Sequence, residues 1–262
     1  MTGNDRRGII VQERDRHLLR ELSVMRVIDR EQAKQVAGFG STTRANCRLL
    51  ALSRAGLLRR MFLGTVGGAR KALYSLSTDG AQLVGVPFRG PRRKLDETLV
   101  ADFFVMHQLR INDLYCTLKY APVPAPGAKF VRWLSFYEPL GSGLALIPDG
   151  YFEVAAPAKT ITAFLEVDLG HESRGVWTAK VQSYLRHAVS GAFRERFGQS
   201  QFRVLAVADS ERRVNSLRNA TAALTEKIFW FTTFEAIRQH GFWSPIWQRP
   251  KHDERQPLIE AL

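Results

Sequence analysis

The sequence predicts a two-domain α/β (α+β) protein: a winged helix-turn-helix over residues 1–90 and an α/β sandwich over residues 91–262. Three observations carry this. First, 262 residues with 45% hydrophobic side chains exceed one ordinary domain and can bury real cores. Second, the net charge of +13 is lopsided: residues 1–94 hold 19 Lys+Arg against 7 Asp+Glu, and residues 95–262 hold 19 against 18. Third, apolar spacing is helical through most of the first third, then mixes helical with strand-like runs.

A module with that excess of cations suits a polyanion, and double-stranded DNA is the expected partner. No apolar run approaches the roughly 18 residues of a membrane span, so no membrane partner is expected. The first residues, MTGNDRRG, carry charge without an apolar stretch, so no signal peptide and a cytoplasmic location are expected. Two cysteines, Cys47 and Cys116, with no CxxC pair, argue against a disulfide framework and structural zinc.

Residues 13–22, ERDRHLLREL, read as a helix with Leu18, Leu19 and Leu22 as its stripe and acids in its first turn. Asp29 is the expected cap of a second helix, REQAKQVA, whose buried side is Ala33, Val36 and Ala37. Gly38-Phe39-Gly40 makes a turn, Ser41 or Thr42 caps a third helix, and Gly56 stops it. The third helix turns Ala45, Leu49 and Leu52 inward, and Thr43, Arg44, Asn46, Cys47 and Arg48 outward. Leu57-Leu58 and Leu73-Tyr74-Ser75-Leu76 read as short strands around MFLGTVGGARKA, a basic glycine-bearing wing, and Ser77-Thr78-Asp79 caps a last short helix. Base edges call for short polar and basic side chains, so Thr43, Arg44, Asn46 and Arg48 are expected to bind DNA through bases. Arg59, Arg60, Arg70 and Lys71 are expected on phosphates. The competing reading makes these cations the solvated face of a protein-binding module. Pro87 to Lys94 breaks helix twice and reads as a basic linker.

Residues 95–119 follow as one amphipathic helix through Leu95, Leu99, Phe103, Met106, Leu109, Leu114 and Leu118, with His107 and Asn112 among its polar positions. After the loop APVPAPGAK come strands over 130–137, 144–154 (interrupted at Pro148) and 160–168, a helix over 174–188, a strand over 202–208, a helix over 211–223, a strand over 227–232 and a helix over 234–240. Three successive strands predict an antiparallel meander, extended by later crossovers. Trp177, Trp230, Trp243 and Trp247 are expected in the core or at docking points, and the tail WSPIWQRPKHDERQ reads as irregular. GxGxxG, GxxxxGK[ST] and GxSxG are missing, so no nucleotide cofactor is expected.

The candidate chemistry lies in Pro148-Asp149-Gly150 and Phe164-Leu165-Glu166-Val167-Asp168. In a strand Glu166 and Asp168 share one face, while Leu165 and Val167 take the other, expected under a helix. With Asp149 they form an acidic edge that repels itself unless a cation compensates, and Mg²⁺ or Mn²⁺ is the natural one. Such an ion activates water against a phosphodiester. Lys180, Tyr184 and His187 fall at i, i+4 and i+7, which brings Lys180 toward that edge. The plainer alternative is that Pro-Asp-Gly is a hairpin tip and that Lys180 and Tyr184 pack at the helix–sheet boundary.

With these residues, the order helix, three strands, helix, strand over roughly 95–235 resembles the PD-(D/E)XK nuclease-like fold. The resemblance implies that Asp149 and Glu166 bind metal and that a lysine two positions after the glutamate assists water. Asp168 stands at that position. Lys180 is then the substitute, or the domain is catalytically inactive. The whole chain also resembles the replication-relaxation family of plasmid and mobile-element proteins, in its winged helix, the segment HQLRIND (His107 to Asp113), PDG, the E-V-D strand, and Lys180 with Tyr184. This implies double-stranded DNA binding in plasmid replication, mobilisation or relaxation. The second domain is then either inactive or a metal-dependent endonuclease or nickase, with Asp149, Glu166 and Lys180 catalytic and Asp149, Glu166 and Asp168 holding Mg²⁺ or Mn²⁺. Winged-helix proteins often pair on inverted repeats, so a homodimer is expected.

Overall fold

Capping residues begin three helices where the sequence expects them, at Asp29, Ser41 and Ser77. The computed structural model describes residues 9–64, 70–88, 98–141, 143–157 and 159–259. It divides into two units, one ending at Tyr120 and one beginning at Ala121. The tip of the expected wing (65–69), the linker from 89 onward and Leu95 lie outside the described residues.

The first unit contains α1 (Glu13–Met25), β1 (Val27–Asp29), α2 (Arg30–Ala37), α3 (Thr42–Arg54), β2 (Leu58–Gly64), β3 (Arg70–Leu76), α4 (Thr78–Val84) and α5 (Thr98–Tyr120). The Asp29 carboxylate accepts the Gln32 N–H at 2.9 Å and starts α2. Gly38 ends that helix at φ 63°, a left-handed conformation that a side chain disfavours. The Ser41 hydroxyl accepts the Arg44 N–H and starts α3. Leu18, Leu19, Ala33, Ala45, Leu49 and Leu52 are fully buried, as the helical spacing requires. The hairpin strands are longer than expected, and β3 also pairs with β1, giving the antiparallel order β1-β3-β2.

The expected boundary near residue 90 does not match where α5 packs. α5 belongs to the first unit and is held there by polar groups as well as by Leu109, Leu114 and Leu118. The buried Asn112 amide donates to the carbonyls of Met25 and Val27. Gln32 donates to the Leu109 carbonyl and to Asp113. The Tyr115 hydroxyl and Lys119 both donate to Glu21, at 2.6 Å each. An amphipathic pattern says that a helix has an apolar face, but not what it packs against.

The second unit contains β4 (Lys129–Leu134), β5 (Gly150–Ala155), β6 (Thr160–Asp168), α6 (Arg174–Val189), α7 (Ala192–Phe197), β7 (Arg203–Ala208), α8 (Glu211–Ala222), β8 (Phe229–Thr233), α9 (Phe234–His240), β9 (Trp247–Arg249) and β10 (His252–Gln256). Its sheet runs β10-β9-β8-β7-β6-β5-β4. β4 to β6 form the antiparallel meander, β6 to β8 are parallel, and the tail read as irregular adds two antiparallel strands. Trp177, Trp230, Trp243 and Trp247 are buried.

Pro148-Asp149-Gly150 is not a hairpin tip. It leads into β5, which runs only from Gly150, and the Asp149 N–H donates to the Leu165 carbonyl, extending the pairing with β6. Gly150 is required by packing: a Cβ there would stand 2.3 Å from the Trp133 ring.

The expectation that Leu165 and Val167 face the helices is also corrected. Phe164, Glu166 and Asp168 point toward α6 and α8, because α6 supplies Lys180 and Tyr184 to Glu166, and α8 supplies Arg213 to Asp168. Leu165 and Val167 are buried on the opposite face. Phe164 anchors an aromatic core with Tyr151, Phe193, Phe197 and Phe202, its ring centroid 5.0–5.9 Å from each of theirs.

His187 sits inside that core. Its ring lies 5.8–6.0 Å from Phe164, Phe193 and Phe202, and neither ring nitrogen has a hydrogen-bond partner among the described residues. Burial, helped by the charge of Arg196, pushes its pKa below the ordinary 6.5. The imidazole is therefore neutral in the fold, while the unfolded chain gains a proton as pH falls through 6.5. Stability is present above that pH and declines below it. His187→Phe is expected to keep the core and flatten the loss of melting temperature between neutral and mildly acidic pH. An unchanged acid slope in that variant would remove the assignment.

Candidate functional site

Two groups of residues merit attention, one in each unit. In the first, α3 buries Ala45, Leu49 and Leu52 and leaves Thr43, Arg44, Asn46 and Cys47 exposed. Three of the four base-reading residues expected from sequence are therefore free to meet a ligand together.

The fourth, Arg48, is committed elsewhere. Its guanidinium makes two hydrogen bonds to the Asp15 carboxylate of α1, the Nε one at 2.9 Å, and donates to the Ile10 carbonyl. Asp15 is fully buried and also accepts the Gln12 N–H at 2.7 Å, closing the cap of α1. Arg48 therefore pins α3 to α1 instead of reaching outward, because a buried carboxylate demands a cation more strongly than solvent does.

The hairpin cations divide in the same way. Arg59, Arg60 and Arg70 are exposed. Lys71 is ion-paired with Asp29, the residue that caps α2. It is half exposed, yet its charge is already matched within the fold.

In the second unit the structure gathers Asp149, Glu166 and Lys180. Lys180 Nζ donates to Glu166 Oε2 at 2.8 Å and to Glu172 Oε1 at 2.6 Å. The Tyr184 hydroxyl donates to Glu166 Oε1 at 2.5 Å. Asp149 Oδ2 accepts the Val167 N–H at 2.7 Å, and its charge acts on both Glu166 and Lys180. Glu166 is 1% exposed, and burial pushes its carboxyl up to about 7 against the opposing pull of Lys180. For Lys180, burial works against the charge, but the three carboxylates outweigh it and the ammonium is held well above its ordinary range.

Asp168 takes no part in this group. Arg213 grips both its oxygens at 2.7 Å, and the Gly170 N–H bonds Oδ1. These residues do not fit Mg²⁺ or Mn²⁺ as arranged. Both Glu166 oxygens are engaged and shut from solvent, and both Asp168 oxygens belong to an arginine. A hard cation would have to expel Lys180 to be bound by Asp149 and Glu166. Among the described residues, no group of three or more His, Cys, Asp or Glu side chains is placed to hold a metal ion.

Sequence reasoning missed Glu172 and Arg213. Glu172 lies just ahead of α6 and eight residues before Lys180, outside the i, i+3 and i, i+4 spacings that mark helical ion pairs. Arg213 is 45 residues from Asp168, so no local pattern points to it.

No helix among the described residues is long and apolar enough to cross a membrane. A family model described as replication-relaxation matches residues 19–201, from within α1 to just before β7. No curated protein and no solved structure matches the chain.

Proposed function

We propose, from the premise that this chain belongs to the replication-relaxation family, that it is a sequence- or structure-directed double-stranded DNA-binding protein of a plasmid or mobile element, serving replication, mobilisation or relaxation. The observation that carries the reading is the outer face of α3, where Thr43, Arg44 and Asn46 stand exposed beside one another in the part of the chain that holds nearly all the excess charge. The order helix, strand, helix, helix, hairpin supports a winged-helix reading, in which α3 serves as the recognition helix and β2–β3 as the wing. Arg59, Arg60 and Arg70 then neutralise phosphates, while Arg48 and Lys71 hold the module in shape.

In this reading the second unit is a PD-(D/E)XK-like domain without catalytic function. Its meander and parallel crossovers support the reading, although α5, the leading helix of that order, packs in the first unit, and Lys180 and Tyr184 occupy the carboxylate that a metal would need. The endonuclease alternative is favoured by one observation, the gathering of Asp149 and Glu166 around Lys180. It requires Mg²⁺- or Mn²⁺-dependent nicking of supercoiled plasmid that Asp149→Ala/Glu166→Ala abolishes. We expect no such nicking.

Cys47 supplies a native probe. It is exposed on the outer face of α3, whereas Cys116 is buried and its thiol pushed up by burial. Bound duplex DNA is expected to protect Cys47 from maleimide, and prior alkylation is expected to block binding. Arg44→Ala should weaken binding by about 1–3 kcal/mol without lowering the melting temperature. Affinity should fall steeply with salt. Binding that is absent at low salt, or indifferent to salt and to Arg44, would sink the proposal.

A further inference from the structure

The β2–β3 hairpin has two unlike faces. Its register pairs Arg60 with Tyr74, Phe62 with Ala72 and Gly64 with Arg70. Directly opposed residues and residues two apart share a face, so Arg60, Phe62 and Arg70 lie on one side and Arg59 and Lys71 on the other. The second side is closed by Leu63 and Leu73 packing with Val27 and Leu109, and there Lys71 meets Asp29. The first side is closed at its base, where Leu58, Tyr74 and Leu76 are buried, and opens outward at Arg60, Phe62 and Arg70. Phe62 is 53% exposed on it, with the Arg60 guanidinium 4.6 Å from the ring centroid.

A phenylalanine this exposed in the middle of a strand gains little from its own fold. Its setting says what it suits. It stands between two arginines in the part of the chain that carries nearly all the net positive charge. An apolar protein partner would bury those guanidiniums without counter-charge, at a desolvation cost. Duplex DNA meets both needs at once, since phosphates take the arginines and a base step or sugar edge takes the ring.

We propose that Phe62 is an apolar wedge that enters the minor groove of duplex DNA, its ring pressed against a base step while Arg60 and Arg70 lie along the flanking phosphates. The proposal rests on the DNA-binding reading above and adds to it the residue that makes the non-ionic contact. Arg60 has a second role here as a positioning residue, since its guanidinium holds the ring outward.

The test uses the full-length chain and a mixed-sequence duplex of about thirty base pairs, followed by anisotropy across a salt series. Phe62→Ala is expected to weaken binding about tenfold with the salt slope unchanged, as the loss of a stacking contact requires. Arg60→Ala is expected to reduce the slope by about one. In a Phe62→Trp variant the indole emission should be quenched on binding, and a duplex labelled at both ends should bend more with the native chain than with Phe62→Ala. Because Phe62 is exposed, the melting temperatures of these variants should match the native one. Native-like affinity for Phe62→Ala together with unquenched emission from Phe62→Trp overturns the wedge and leaves the DNA-binding reading standing. A native chain that fails to bind the duplex at low salt overturns both.

Discussion

Arg48→Ala is expected to destabilise the first unit by about 3–5 kcal/mol, the cost of leaving a buried charge without its partner. The variant leaves Asp15 fully buried with a carboxylate that no cation faces, and it cuts the link between α1 and α3. Chemical denaturation of the native and variant chains measures this directly. The comparison with Arg44→Ala is the informative part. Both are arginines on α3, four residues apart, but Arg44 is exposed, so its loss should reduce DNA affinity and spare the fold. If Arg48→Ala melts like the native chain and loses affinity instead, Arg48 is a DNA contact and the account of the salt bridge is wrong.

Lys180→Met is expected to cost the second unit a comparable amount at neutral pH, again about 3–5 kcal/mol. Lys180 is the cation shared by Glu166 and Glu172, with Asp149 nearby. The pH dependence gives the signature. Burial already pushes Glu166 up to about 7 in the native chain, whereas an unfolded glutamate titrates near 4.5. Removing Lys180 removes the pull that opposes that rise. A carboxyl raised in the fold favours folding below its unfolded pKa, and this contribution is lost as pH rises through the folded pKa. The deficit of Lys180→Met should therefore be smallest below pH 7, where Glu166 is protonated in both folds, and grow as pH rises above 7, where the native Glu166 ionises against Lys180 and the variant's has no cation to meet. Glu166→Gln/Lys180→Met, which removes both charges together, should recover most of the loss. A single variant costing less than about 1 kcal/mol at neutral pH would show that the pair is not the keystone of this helix–sheet contact.

The two expectations explain why the site was only half legible in the sequence. Helical spacing placed Thr43, Arg44 and Asn46 outside and Ala45, Leu49 and Leu52 inside, and both held. Spacing also placed Arg48 outside, where the structure bends its long side chain back to Asp15, 33 residues away. Strand alternation correctly put Glu166 and Asp168 on one face. It did not reveal that this face lies under α6 and α8, or that each acid meets its own cation. The carboxylates that suggested a metal edge are neutralised one by one, Glu166 by Lys180 and Asp168 by Arg213.

What the sequence determined by itself is the set of properties that depend on neighbours along the chain: the charge asymmetry, the helix caps at Asp29 and Ser41, and the two periodicities that sort each side chain to a face. Backbone geometry repeats every few residues, so these follow from local order. Only the tertiary structure decided that α5 belongs with the first unit, that the Pro-Asp-Gly segment leads into β5, and which arginine or lysine answers which buried acid. A buried charge takes its partner from whatever elements pack around it. That choice is set by the docking of segments far apart in sequence, through hydrogen bonds such as Asn112 to Met25 and Arg213 to Asp168, which no local pattern encodes.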